Sequence, residues 1–211
     1  MNTRILYVII IIIVFQSCIK IKHSPLREPN PESIEIAGCT ISSTGAVYIN
    51  IFGIIKADFI SAGVKIKSDD ILLYIDPLVT DDTAKADYIF ITHNHLDHFS
   101  MPDIHKLSKP ETIIIGPEPV TRKLKGKIVK TISARDTDFI PEMEAFENIT
   151  VAIIPIGEGK TAMNPQTASK AANLINPRIV IPIHYKLEQN RGKEFLALVD
   201  KHIEVKFLNS H

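Results

Sequence analysis

An α/β domain is what the sequence predicts, and three observations carry that expectation. Short apolar or β-branched runs crowd together between residues 47 and 92, so the fold opens on strands. From residue 100 onward, helix-start signals alternate with further apolar runs, the pattern of β-α-β units. The 211 residues are 45% hydrophobic with only nine glycines, enough to bury one sizeable core, whereas two domains would be cramped.

The elements follow in order. Residues 1–18 read as a targeting segment: Arg4 gives a positive start, residues 5–15 are an unbroken apolar run, and Gln16-Ser17-Cys18 follows. That run is shorter than the ~20 apolar residues a membrane-spanning helix needs. A small residue before Cys18 is similar to a bacterial lipoprotein signal, in which the cysteine is lipidated and becomes the mature N-terminus. An uncleaved anchor or an ordinary secretory signal is the alternative. Export would leave Cys39 without an intramolecular partner once Cys18 carries lipid, so no disulfide is expected. Residues 19–32, with three prolines between His23 and Pro31, are expected to be a tether, and residues 33–211 the folded domain.

Within that domain the strand signals fall at 47–52, 63–66, 71–75 and 88–92. Ser100, with Pro102 in the first turn, starts a short helix through residue 107. A strand at 112–115, a helix at 119–124 and a strand at 127–132 come next. Asn164-Pro165 opens a helix over 166–175, followed by a strand at 178–183, a helix at 193–199 and a strand at 204–208.

Directly after the strand at 88–92 stands His93-Asn94-His95-Leu96-Asp97-His98, which holds three of the chain's eight histidines. Four ionisable groups in six positions at a strand end crowd one another unless something compensates them, and a divalent metal does so. Neutral imidazole and carboxylate suit zinc, iron or manganese. His93 and His95 could share one ion while Asp97 and His98 take a second. The plain alternative is a solvated, histidine-rich turn.

This hexad resembles the His-x-His-x-Asp-His signature of the metallo-β-lactamase superfamily. The similarity runs from about residue 45 to 187. It takes in Ile75-Asp76-Pro77 and Lys85-Ala86-Asp87-Tyr88 upstream, then Asp136-Thr137-Asp138, Ile154-Pro155-Ile156-Gly157 and Ile181-Pro182-Ile183-His184-Tyr185 downstream. The paired Pro-Ile-Gly and Pro-Ile-His-Tyr segments resemble most the lactonase-like and phospholipase-D-like hydrolases. What the resemblance implies is an αββα sandwich whose site lies at the strand ends. It also implies His93 and His95 on a first metal, Asp97, His98 and His184 on a second, and Asp136 bridging both. Zinc is the expected metal, as one or two ions, with iron or manganese as alternatives. Asp97 and Asp136 would be the catalytic carboxylates, and Tyr185 a contact for a developing oxyanion. Taken as isolated residues, Asp136 also reads as a loop carboxylate beside Arg135, and His184 as a strand-end histidine bonded to backbone.

Three departures from the family pattern stand out. No histidine lies between His105 and His184, the interval in which the family supplies a third ligand to the first metal. The chain passes from Lys130 to Asp136 in six residues, as though strands of the second half were missing, and Arg135 replaces the glycine before the bridging aspartate. At Lys56-Ala57-Asp58 relatives often carry a histidine-containing turn. The second site is therefore expected to fill and the first to be weak or empty. A sheet edge left uncovered by missing strands would favour a homo-oligomer.

Lysine plus arginine equals aspartate plus glutamate at 24 each, so no basic field draws the chain to nucleic acid, and the lack of tryptophan weakens a base-stacking reading. Gly157-Glu158-Gly159-Lys160-Thr161 looks like part of a phosphate loop but has Ile154 where that motif requires glycine. His105 reads as a surface residue, and His23, His202 and His211 as tether or tail. The leading expectation is an exported, lipid-anchored hydrolase using metal-bound hydroxide on an ester, lactone or phosphoester of a small molecule. Its rival is a degenerate lipoprotein of the same fold that binds metal or a partner without turnover.

Overall fold

The structure is a computed structural model that describes residues 19–23, 33–131, 147–157, 162–186 and 189–208. Its larger sheet has seven strands: β2 (Ser33–Ile36), β3 (Cys39–Ser43), β6 (Val64–Lys67), β7 (Leu72–Ile75), β8 (Ala86–Phe90), β9 (Ser108–Gly116) and β10 (Ile128–Thr131). Their spatial order is β10-β9-β8-β7-β6-β3-β2. The half from β2 to β7 is antiparallel and the half from β7 to β10 parallel. This mixture follows from the connections. Short turns join β2 to β3 and β6 to β7, while α1 (Met101–Leu107) and α2 (Glu118–Thr121) provide the crossovers from β8 to β9 and from β9 to β10.

The second layer is built from two three-stranded sheets. One holds β1 (Ile19–His23), β4 (Ala46–Ile51) and β5 (Ile55–Ile60), all antiparallel; the other holds β11 (Val151–Pro155), β12 (Ile179–Ile183) and β13 (Glu204–Val205), all parallel. The Ile60 N–H donates to the Tyr185 carbonyl at 2.8 Å, and an antiparallel bridge between Phe59 and Lys186 ties the two sheets together.

Three apolar clusters fill the layers. Ile34, Ile41 and Val64 from the large sheet meet Ile179, Ile181 and Ile183 of β12 between the sheets. Tyr74, Ile89 and Ile114 pack under Ile104, Leu107 and Val120 on the outer face of the large sheet. Ala152, Ile154 and Val180 pack on the opposite outside under α3 (Pro165–Ile175) and α4 (Arg191–Leu198). The order of layers is therefore helix, sheet, sheet, helix. β12 is buried at every position, as a central parallel strand covered on both faces must be. The caps form as the sequence implies. Ser100 accepts from the Asp103 N–H at 3.3 Å and Asn164 from the Thr167 N–H at 2.8 Å, and α3 ends on left-handed Asn176.

Several expectations need correction. Residues 19–32 were expected to be a tether throughout, yet Ile19–His23 is a strand paired with β4. Its Ile-Lys-Ile-Lys alternation has the period of two that a strand requires. Lys56-Ala57-Asp58, compared above with a turn, lies inside β5. The expected strands at 88–92 and 204–208 end earlier, at Phe90 and Val205. Cys18, the leader, Asp136 and the Glu158–Thr161 stretch lie outside the described residues.

Candidate metal centre

Two strand ends build the site. β8 delivers the hexad from the large sheet, and β12 delivers His184 from the second layer. The loop after β8 folds back tightly, with the His98 and Phe99 N–H groups both donating to the His95 carbonyl at 3.1 and 2.9 Å. At the end of β12 the backbone of His184 turns left-handed, with φ of 62°, an unusual conformation for a residue that is not glycine. Such outliers persist where surrounding structure holds them, and here the turn brings the imidazole to the hexad.

Three ligand atoms from these elements converge. His184 Nε2 is 3.2 Å from His98 Nε2 and 3.2 Å from Asp97 Oδ2, and His98 Nε2 is 3.9 Å from the same oxygen. His93 joins from the side, since its ligand atom and those of Asp97 and His98 lie within 4.8 Å of one another. His95 is exposed and places its ring edge-on to His93, with centroids 4.4 Å apart.

A residue that sequence reasoning noted only as part of an Asp-Pro strand end organises this cluster. Asp76 is 2% exposed, also has positive φ (41°), and its carboxylate accepts from the Thr92 N–H at 2.8 Å, the Thr92 hydroxyl at 2.6 Å and His98 Nδ1 at 2.8 Å. An ionised carboxylate only accepts, so His98 carries its proton on Nδ1 and presents a lone pair on Nε2. Because the Thr92 hydroxyl spends its one hydrogen on Asp76, it accepts from His93 Nδ1 at 3.0 Å. That fixes the second imidazole with its Nε2 lone pair outward as well. This is how metal-binding histidines are held from behind. His184 lacks such support, since its buried Nδ1 has no hydrogen-bond partner among the described residues.

The donor set fits a cation. Between the carboxylate of Asp97 and the Nε2 atoms of His98 and His184 there is room for a single proton, on His184. A divalent ion would satisfy all three lone pairs. Ligands at zinc-like bond lengths of about 2.0–2.1 Å in a tetrahedron stand about 3.3 Å apart, close to the spacings seen. Burial would raise the Asp97 carboxyl, but the hydrogen bond from His184 and the electrostatic influence of the adjacent His98 and His184 imidazoles hold it well below the usual carboxylate range. It is thus ionised and ready to ligate.

Of the expected ligands, the structure brings together Asp97, His98, His184 and His93, and leaves His95 at the exposed rim. Tyr185 is 2% exposed within the core beneath α3 and α4. His105 and His202 are exposed. Beside the hexad opens a cleft of about 610 Å3, with Ile21, Leu78, Leu96, Phe99 and Met101 among its walls.

The same layers recur in known structures. A proposed metal-dependent hydrolase of Parabacteroides distasonis superposes with a TM-score of 0.63 at 24% identity, covering 86% of this chain and 99% of that one. The metallo-β-lactamase fold protein YhfI of Bacillus subtilis gives 0.57 at 16% identity, covering 86% and 98%. The chain has a metallo-β-lactamase fold. In sequence, it is similar to a UPF0173 metal-dependent hydrolase of Thermococcus kodakarensis, 34% identical in an alignment of length 155 that covers 66% of this chain and 64% of the relative. Another UPF0173 metal-dependent hydrolase, from Caldivirga maquilingensis, is 25% identical in an alignment of length 157 that covers 52% of this chain and 68% of that protein. No protein-family model matches the chain. Within the metallo-β-lactamase fold the cluster stands just past the carboxyl ends of β8 and β12, and Leu96 of the same loop lines the neighbouring cleft.

Proposed function

We propose that this metallo-β-lactamase-fold chain is a metal-dependent hydrolase, exported and lipid-anchored through Cys18, that cleaves an ester, lactone or phosphoester bond in a small molecule. The observation that carries the reading is the convergence of Asp97, His98 and His184 from two separate strand ends, with Asp76 fixing the histidine tautomer. The likeness to proteins named as metal-dependent hydrolases supports it. A bound zinc, iron or manganese ion would supply Lewis acidity and lower the pKa of water toward 7. The chain's own residues supply the rest. Asp97, His98 and His184 hold the ion, with Asp136 as the expected fourth ligand, and His93 and His95 stand on the side where a second ion would bind. The neighbouring cleft, whose walls mix apolar side chains with Asp81, Asp103 and Lys106, gives a substrate somewhere to lodge its non-reacting part.

The test is metal analysis of the full chain beside His93→Ala and His184→Ala variants. One tightly held ion that is lost in His184→Ala is the expected result. A protein that stays metal-free after incubation with zinc, iron and manganese would sink the reading. A second reading is favoured by one specific observation, the absence of any histidine between His105 and His184. On that view the chain is a metal-binding lipoprotein without turnover. Metal binding with no hydrolysis across ester, lactone and phosphodiester panels would select it. The anchor has its own test: Cys18→Ser should abolish partition into detergent.

A further inference from the structure

We propose that the tip of the β4–β5 hairpin is a membrane-contact surface that lowers Phe52 and Ile54 into a bilayer bearing anionic headgroups. The tip is built rather than loose. Asn50 Oδ1 accepts from the Gly53 N–H at 2.8 Å, the Ile54 N–H donates to the Ile51 carbonyl at 3.0 Å, and Gly53 takes the left-handed φ of 74° that the turn demands. What this rigid turn presents is apolar: Ile54 is 86% exposed and Phe52 39%. A single exposed isoleucine is ordinary, but two large apolar side chains at a hairpin apex need a reason.

Two further observations name the occupant. In the pairing of β1 with β4, Ile19 stands opposite Ile51, so the chain enters this sheet beside the tip. The described chain therefore begins at the hairpin's end of this sheet, with Ile19 bonded to the residue expected to carry lipid. The second observation is charge. Lys20 and Lys56 both lie opposite Asn50 and Lys22 opposite Tyr48, so the three exposed lysines share one face of the sheet next to the tip. Residues 19–22 and 46–57 contain no aspartate or glutamate, and the acid that shares this face, Asp58 opposite Tyr48, is buried. In a chain of zero net charge this end is locally cationic, as a surface facing acidic lipid should be. A second copy of the same tip would bring lysines against lysines, which disfavours a dimer through this surface. Apolar side chains flanked on one side by lysines are a combination that holds proteins at a bilayer interface. The inference does not depend on the metal site.

The chain has no tryptophan, so a single introduced indole reports its own surroundings. Full-length protein carrying Ile54→Trp is mixed with phosphatidylglycerol-phosphatidylethanolamine vesicles, with and without brominated acyl chains. Leu196→Trp on α4, a position 50% exposed, serves as the control. The expected result is a blue shift and bromine quenching for Ile54→Trp and neither for Leu196→Trp. Adding Lys20→Glu and Lys56→Glu should weaken the quenching on anionic vesicles and leave that on neutral vesicles unchanged. The proposal is overturned if Ile54→Trp emission is unmoved while the protein co-floats with vesicles. It is equally overturned if both indoles respond alike, or if the shift follows protein concentration without lipid. Quenching that ignores charge reversal overturns the role of the lysines.

Discussion

Asp76 shows how much of a metal centre depends on a residue that touches no metal. One buried carboxylate fixes the tautomer of His98 directly and that of His93 through Thr92. Asp76→Asn keeps the shape but replaces one accepting oxygen with a donor, so His98 Nε2 no longer has a guaranteed lone pair. Metal affinity is expected to fall by about 10–100-fold, the usual cost of losing a carboxylate behind a ligating histidine. Competition against a chromophoric chelator measures it, and an unchanged affinity would show that His98 is oriented by something else. Thr92→Val removes the relay to His93, one donor to Asp76 and a 3.3 Å contact with His98 Nδ1, but it leaves Asp76 on His98 and should weaken the ion less than Asp76→Asn does. Asp76 was visible in the sequence as a strand end before proline, but its role was not. Its direction depends on a positive φ, and strand periodicity cannot announce a left-handed residue.

Among the elements, capped helices and several short apolar strands were legible, whereas β1, despite its period-two alternation, read as tether and β11 was not expected as a strand. The helices at 101–107 and 165–175 carry their caps in the sequence, and β7, β8 and β12 are short apolar runs. β2, β3 and β5 were missed because polar residues interrupt them, as in Cys39-Thr40-Ile41-Ser42-Ser43, and only tertiary pairing selects the strand. The junction of β5 and β6 is a place where local rules and packing meet. A Cβ on Gly63 would lie 1.9 Å from Thr44 Oγ1 and 3.0 Å from the Asp76 carbonyl. Gly63→Ala should therefore cost about 1–3 kcal/mol by overpacking, read as a lower denaturant midpoint, and should loosen metal binding through Asp76. The loop after β7 is fastened by a different device. Lys65 on β6 donates to Asp82, and the buried Tyr74 ring lies 5.8 Å from the Lys65 ammonium. Burial would raise the Asp82 carboxyl, but hydrogen bonds from Lys65, the Ala84 N–H and Tyr74 bring it down to about 2 from an ordinary 3.8. The folded state thus prefers the ionised form. That stabilisation is complete above pH of about 4 and is lost as pH falls toward about 2. Asp82→Asn should flatten the acid limb of a stability-versus-pH curve across that window, and a slope there equal to wild type would refute the assignment. Tyr74 shifts the other way. Burial first, and the neighbouring Asp82 second, raise its hydroxyl well above the ordinary 10.0, so stability should begin to fall as pH climbs past that value.

At the scale of the whole molecule, the ligands come from both halves of the sandwich: Asp97 and His98 extend from the seven-stranded sheet, and His184 from the strand at the centre of the opposing one. An ion held by all three would join the two layers at their open end, where the apolar contacts of the inner core give way to the cleft. Because the native state alone assembles this ligand set, binding must stabilise it. At free metal about 100-fold above Kd the gain is about 2.7 kcal/mol. For a domain of this size that corresponds to a rise in melting temperature of roughly 5–10 °C. Zinc titrated into chelator-treated protein should produce that rise, and renewed chelation should reverse it. His184→Ala, which leaves the hexad intact but removes the only described ligand from the second layer, should lose most of the shift even if the loop still holds an ion weakly. A full shift retained in His184→Ala would mean that the hexad binds alone and that the metal does not join the two sheets.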